Sequence, residues 1–255
     1  MFPRHPRFAS LGAVLLLVPL LAPAQVTLKP DGQWRYLLTA GANVSSGNND
    51  AGSLNLSAEG ARQTMQDKWT WDARADRARS NGADTIERYG LRTQYNRDFG
   101  VDWFGFGAAE WQRDRLANIA ARYSVAGGVG RHLWHDDSGF FDVSAGLGYT
   151  QDRYLAPIDI AGAVRDRYGR AELVLAEESS HRLTETTSLR QKLTLYPDLR
   201  ERSKYRAVLD TGLTVAMTQR INLSAGLSYR YDSDPGVGIE KGDLTFVTGI
   251  SMRID

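Results

Sequence analysis

The feature that most constrains this chain is strict alternation. In Ile221-Asn-Leu-Ser-Ala-Gly-Leu-Ser-Tyr-Arg-Tyr231 every second residue is apolar or aromatic, and the residues between are Asn222, Ser224, Gly226, Ser228 and Arg230. Successive side chains of a strand point to opposite faces, so this segment reads as a strand with one greasy and one wet side. Phe141–Tyr149, Ala207–Met217 and Leu244–Ile254 repeat the design. Twelve such stretches run from end to end, at about 33–45, 53–65, 68–78, 85–98, 102–114, 119–133, 138–151, 166–178, 183–196, 204–217, 220–232 and 243–254. Each exceeds the ~5–6 residues typical of soluble strands and reaches the ~9–11 that a tilted membrane strand needs. An even number of antiparallel strands suits a bacterial barrel with both ends in the periplasm. The pattern predicts an all-β fold: a single 12-stranded antiparallel up-and-down transmembrane β-barrel of the bacterial outer membrane.

The connections carry a second expectation. With the chain starting on the periplasmic side, even-numbered connections read as tight turns (Gln66-Asp67, Phe99–Val101, His135–Asp137, Ser179–Arg182, Thr218-Gln219). Odd-numbered ones read as longer surface loops (Ser46–Gly52, Arg79–Asp84, Leu116–Asn118, Arg153–Arg165, Pro197–Ser203, Ser233–Gly242). Five of these six fit the outer-membrane layout of short inner turns and long outer loops. Arg153–Arg165 is the longest and is the natural candidate for a lumen plug. Aromatic residues gather at strand ends, where rings with a polar tip favour the headgroup level. Trp34, Tyr36, Trp69, Trp71, Tyr95, Phe99, Trp103, Phe104, Phe106, Trp134, Phe140 and Phe141 lie near the inner ends. Tyr123, Tyr149, Tyr154, Tyr196, Tyr205, Tyr229 and Tyr231 lie nearer the outer ends.

The first residues bear on compartment. Arg4 and Arg7 precede an apolar run from Leu11 to Leu21, followed by Ala22-Pro-Ala24. That is the layout of a secretory signal peptide with an A-x-A cleavage site, and the run is too short for a membrane-spanning helix. The expected organisation is a cleaved signal peptide over 1–24 and an outer-membrane barrel domain over 25–255. Removing Arg4 and Arg7 from the 31 basic residues leaves 29 against 30 acidic ones. That balance gives no electrostatic support for a nucleic-acid partner. The chain has no cysteine, which excludes thiolate metal sites. A mean hydropathy of −0.39 looks soluble, but in a barrel only every second residue is apolar.

Particular stretches resemble a known family. Gly47–Ala58, Tyr95-Asn-Arg-Asp-Phe99 with Trp103-Phe-Gly-Phe-Gly107, Arg113-Asp-Arg115, Arg122-Tyr-Ser124, and Tyr231-Asp-Ser-Asp-Pro-Gly-Val237 are similar to the YdiY-like salt-induced outer-membrane proteins, domain of unknown function 481. The likeness covers roughly residues 35–255. It implies an outer-membrane barrel with no assigned reaction and no cofactor. The aromatic final residue associated with the family is absent, since the last strand closes on Ile254 with Asp255 beyond it.

Candidate chemistry is sparse. His132, His135 and His181 are the histidines after residue 24, all near inner turns. His132-x-x-His135 offers two imidazoles without an evident third ligand, so these read as solvated turn histidines and no metal site is expected. A lipid-modifying barrel enzyme needs a serine, a histidine base and an orienting group near the outer rim. The histidines are at the wrong end and no G-x-S-x-G occurs, so no catalytic residues are assigned. The acidic loops around Asn48–Asp50 and Asp232–Asp243 lack calcium-motif spacing and read as turn chemistry. The wet face is richer. It predicts a lumen lined by Arg74, Arg88, Arg92, Arg122, Arg170, Arg190, Arg206, Asp210, Arg230 and Arg253. Two readings stay open: a satisfied ionic network that fills a narrow barrel, or arginine rows lining a small pore for solutes or ions. Expected partners are outer-membrane lipid, the barrel-insertion machinery and small solutes or ions.

Overall fold

A computed structural model describes residues 29–45, 51–160, 162–201, 203–236 and 238–254. The expected signal peptide and the Ser46–Asp50 part of the first loop lie outside the described residues. Twelve strands follow in order: β1 (Trp34–Ser45), β2 (Ala51–Gln63), β3 (Asp67–Ser80), β4 (Ala83–Asp98), β5 (Trp103–Asp114), β6 (Ile119–Asp136), β7 (Gly139–Ile160), β8 (Ala163–Arg182), β9 (Thr187–Pro197), β10 (Tyr205–Ala216), β11 (Ile221–Asp232) and β12 (Gly242–Ile254). Each pairs antiparallel with its sequence neighbours, and β12 returns to β1 through Tyr36↔Ile254 to Ala40↔Ile250. The sheet is a closed barrel, so no edge strand is left with unpaired backbone groups. At the seam, Gly41 and Gly249 let the backbones approach: a Cβ on Gly41 would lie 2.1 Å from the Thr248 carbonyl oxygen.

The polarity of the barrel is inverted relative to a soluble protein. Leu38, Leu54, Leu91, Val125, Leu147, Leu244, Ile250 and Met252 are exposed on the outside. Arg88, Asp114, Asp142, Asp152, Arg170 and Glu172 are buried inside. That is the apolar-out, polar-in alternation of a membrane barrel. At the lower end, the end of the β2–β3 and β6–β7 turns, outward rings form a continuous row across β1, β3 and β4. Trp34 and Trp69 lie 5.8 Å apart, Tyr36 and Trp71 6.3 Å, and Trp69 and Tyr95 6.4 Å. Tyr123, Tyr149, Tyr205 and Tyr229 are exposed nearer the upper end.

Three sequence expectations are corrected. First, the upper connections are not uniformly long. Asn81-Gly82 forms a two-residue turn with φ of 50° and 80°, the twist that tight hairpins favour, so β3 and β4 run on through the expected loop. Second, the expected Arg153–Arg165 plug is a hairpin. β7 and β8 continue to Ile160 and Ala163, and a register shift between Arg153 and Ile158 takes up Pro157. Tyr154, Ile158 and Ile160 are buried on its inner side with Tyr168 and Ile239 packed against them, so the hairpin meets the β11–β12 connection above the bore. Third, Phe104, Phe106, Phe140, Tyr154 and Tyr196 are not girdle residues, because each occupies an inward register position. Phe104 packs against His132 at 4.7 Å between ring centroids, and Phe106 and Tyr196 line the lumen.

Candidate functional site

The lumen is built from even-numbered positions on β3 to β11 and odd-numbered ones on β1, β2 and β12, as the pairing register requires, except at the ends of β6, where register shifts turn Ile119 and His135 inward. Its two walls differ. On β5 to β8 the inward residues of the lower half include Phe104, Phe106, Gly128, Gly130 and Gly146, beside Asp142, Ser144 and Glu178. The phenylalanine rings lie on the glycines: a Cβ on Gly130 would be 2.1 Å from Phe104 Cζ, and one on Gly146 2.9 Å from Phe106 Cζ. Above them sits a buried ionic cluster. Arg122 grips Asp152 with two hydrogen bonds, at 2.5 and 2.8 Å. Arg170 reaches Asp152 at 3.3 Å and Glu172 at 2.9 Å. Arg206 donates to Glu172 at 2.8 Å, and the Thr150 hydroxyl donates to the same carboxylate at 2.6 Å. Asp152 and Glu172 are 0 % and 1 % exposed. Every carboxylate oxygen here has a partner, the condition under which buried charge is tolerated.

The opposite wall is open. An upper chamber of about 610 Å³ is bounded by Tyr154 and Ile160 of the hairpin and by Ile239, Glu240 and Lys241 of the β11–β12 connection. A lower chamber of about 180 Å³ is bounded by Glu59, Lys68, Gln94, Glu178, Arg190 and Lys192. Asp72, Arg74, Asp76, Arg88, Arg92, Asp210 and Arg230 border both chambers and form the waist between them. Several contacts cross the bore. Arg74 of β3 lies 3.8 Å from Asp210 of β10, and Arg88 of β4 lies 2.9 Å from Asp243 of β12. Below the waist, Lys68 of β3 is 3.6 Å from Glu178 of β8, and Lys192 of β9 donates to Gln94 of β4 at 3.2 Å.

The ten sequence-derived positions therefore separate. Arg74, Arg88, Arg92, Asp210 and Arg230 meet at the waist. Arg122 and Arg206 border the upper chamber, and Arg190 the lower one, 2.6 Å from Glu178. Arg170 is sealed within the wall. Arg253 stands at the lower rim, where it donates to the Gln219 carbonyl at 2.6 Å. Arg92 and Arg230 differ from the other waist arginines. Among the described residues neither has a carboxylate within 4.0 Å nor a side-chain hydrogen bond, and Arg230 Nε is buried without a partner. Sequence reasoning missed Glu59, Lys68, Glu110, Asp114, Asp152 and Glu178, which all face inward. Alternation alone places Glu59 with Asn55 and Ser57, whereas Asp152 lies one residue past the strand read as 138–151 and just before the loop read from Arg153.

The family described as "Protein of unknown function, DUF481" matches residues 38–252. No curated protein matches. Among solved structures, the translocator domain of the autotransporter NalP from Neisseria meningitidis is 15 % identical with a TM-score of 0.48, covering 88 % of each chain. The NanC porin is 14 % identical with a TM-score of 0.44, covering 85 % of this chain and 96 % of that one. The KdgM porin is 8 % identical with a TM-score of 0.41, covering 88 % of this chain and all of the other.

Proposed function

This chain belongs to the DUF481 family, and from that premise we propose that it is a narrow outer-membrane conduit for small solutes or ions that favours anions. The observation that carries the reading is the waist. Two chambers meet at one charged ring, and two of its guanidinium groups, Arg92 and Arg230, keep their donors free for something other than a protein carboxylate. A guanidinium presents a planar fork of N–H donors that suits carboxylate, phosphate and smaller oxyanions. The ring carries four arginines against three aspartates, and such an excess of positive charge in a constricted bore attracts anions and raises a barrier to cations. The cross-bore contacts keep the passage narrow, so large hydrated solutes are excluded.

On this reading the lower end faces the periplasm, residues 1–24 are removed on export, outer-membrane lipid covers the apolar exterior and the barrel-insertion machinery assembles it. The resemblance to salt-induced proteins suggests a role when external ionic strength changes. The reading is of a non-catalytic protein, because His132, His135 and His181 stand at the lower end, away from any outer-rim serine.

The test is planar-bilayer recording of refolded protein in a salt gradient. Discrete steps with an anion-selective reversal potential are expected, and Arg92→Gln with Arg230→Gln should move that potential toward zero. A correctly folded barrel that gives a flat trace, or one selective for cations, would overturn the proposal.

A further inference from the structure

A histidine pair spaced i, i+3 on a regular strand points to opposite faces, because side chains alternate. In β6 that rule is broken locally. His132 pairs with Asp142 and Trp134 pairs with Phe141, so Leu133 is an extra residue without a partner. This β-bulge shifts the alternation by one and turns both His132 and His135 inward, the kind of re-aiming for which bulges are used. Asp142 of β7 lies between the two rings, its Oδ1 2.8 Å from His132 Nδ1 and 3.9 Å from His135 Nδ1. The three donor atoms lie within 4.8 Å of one another.

We propose that His132, His135 and Asp142 form a binding site for a zinc-type divalent transition-metal ion at the lower mouth of the barrel. A tetrahedral ion with bonds of ~2.0–2.1 Å holds its ligand atoms about 3.3 Å apart, between the two separations found here. Two imidazoles and one carboxylate suit zinc-type ions, whereas calcium and magnesium take oxygen ligands. The surroundings are those of a held site. Asp98 Oδ1 stands 3.4 Å from His132 Nε2. A proton on Nε2 shared with that carboxylate leaves the Nδ1 lone pair free for the metal, the carboxylate–histidine arrangement that orients metal ligands. Phe104 packs on His132 at 4.7 Å, and Phe140 stacks on His135 at 5.4 Å and 16°. Lys68, the nearby cation, is balanced by Glu178 at 3.6 Å. His135 is half exposed, so the ion has a route in from the mouth and a fourth position open to water. This inference does not rest on conduction through the lumen.

The test is titration of refolded barrel with Zn²⁺ against a chromophoric chelator, followed by Co²⁺ substitution. One ion per barrel is expected, with the strong visible absorption of four- or five-coordinate cobalt. Asp98→Asn should weaken binding ~10–100-fold at unchanged stoichiometry. His132→Ala and His135→Ala should each weaken it further, in barrels whose β-type circular dichroism is intact. His181→Ala should leave it unchanged, since His181 stacks on Trp134 at 5.6 Å, away from Asp142. The proposal is overturned if folded wild-type barrel binds no Zn²⁺. It is equally overturned if cobalt gives the weak spectrum of a hydrated ion, or if binding survives the double histidine substitution or falls with His181→Ala.

Discussion

The wall formed by β5 to β8 and the wall facing it are made by the same rule of alternation and do opposite things. On the first, inward glycines receive Phe104 and Phe106, and an ionic cluster with fully partnered carboxylates closes the space above. On the second, Asp72, Arg74, Arg92, Asp210 and Arg230 border open chambers. The first wall behaves as a protein core placed inside a barrel, where interactions are desolvated and strong. The second is more open: Arg74 and Asp210 are 32 % and 28 % exposed, so their mutual attraction is weaker. A barrel of about twelve strands falls between the filled eight-stranded and the aqueous sixteen-stranded types. This one divides its bore between the two solutions.

The comparison can be broken most forcefully at the ionic cluster. Asp152→Asn removes the carboxylate shared by Arg122 and Arg170 and leaves two guanidinium groups short of a counter-charge in a fully buried place. Stripping one partner from a buried ion pair costs ~3–5 kcal/mol, and a loss of that order is expected in urea unfolding of the refolded barrel. A loss below ~1 kcal/mol would mean that this wall is solvated like the other. A smaller effect is expected at the glycine floor. A Cβ on Gly128 would sit 2.3 Å from the Ala145 carbonyl oxygen and 2.5 Å from Gly146 Cα, so strands must move apart. Gly128→Ala should cost ~1–3 kcal/mol, the usual range for overpacking. Gly107→Ala, with nothing within 4 Å of its added methyl group, is the control and should unfold with wild type.

The two walls were not equally legible in the sequence. Alternation gives the strands and the closed antiparallel order, because a polar side chain at the wrong parity would face hydrocarbon. It also places Arg74, Arg92, Asp210 and Arg230 on the wet face. It contains the positions of Phe104 and Phe106 too, which share parity with Gln112 and Asp114, yet aromatic type at a strand end suggests a membrane girdle and masks the register. What alternation cannot reveal is any change of register. The bulge at Leu133 joins His132 to His135, and the shift after Arg153 converts an expected loop containing Pro157 into strand. Both depend on what the neighbouring strand offers. Ion pairing was hidden for a related reason: Arg74 meets Asp210 and Lys68 meets Glu178 across the bore, between strands far apart in the chain.

The finest test compares one arginine from each wall. Arg122 is tied by two hydrogen bonds to a carboxylate with no exposure, so Arg122→Gln should strand part of the Asp152 charge and destabilise the barrel measurably. Arg92 has no such tie and borders both chambers. Substitutions away from packed or paired features usually stay within about 0.5 kcal/mol, and Arg92→Gln should do the same in urea unfolding. Equal losses for the two variants would mean that Arg92 is held by the protein after all, and the division of the bore into a packed half and a solvated half would fail. A silent Arg92→Gln in unfolding, with an altered reversal potential in the bilayer, would separate the residues that hold the barrel from those that face what passes through it.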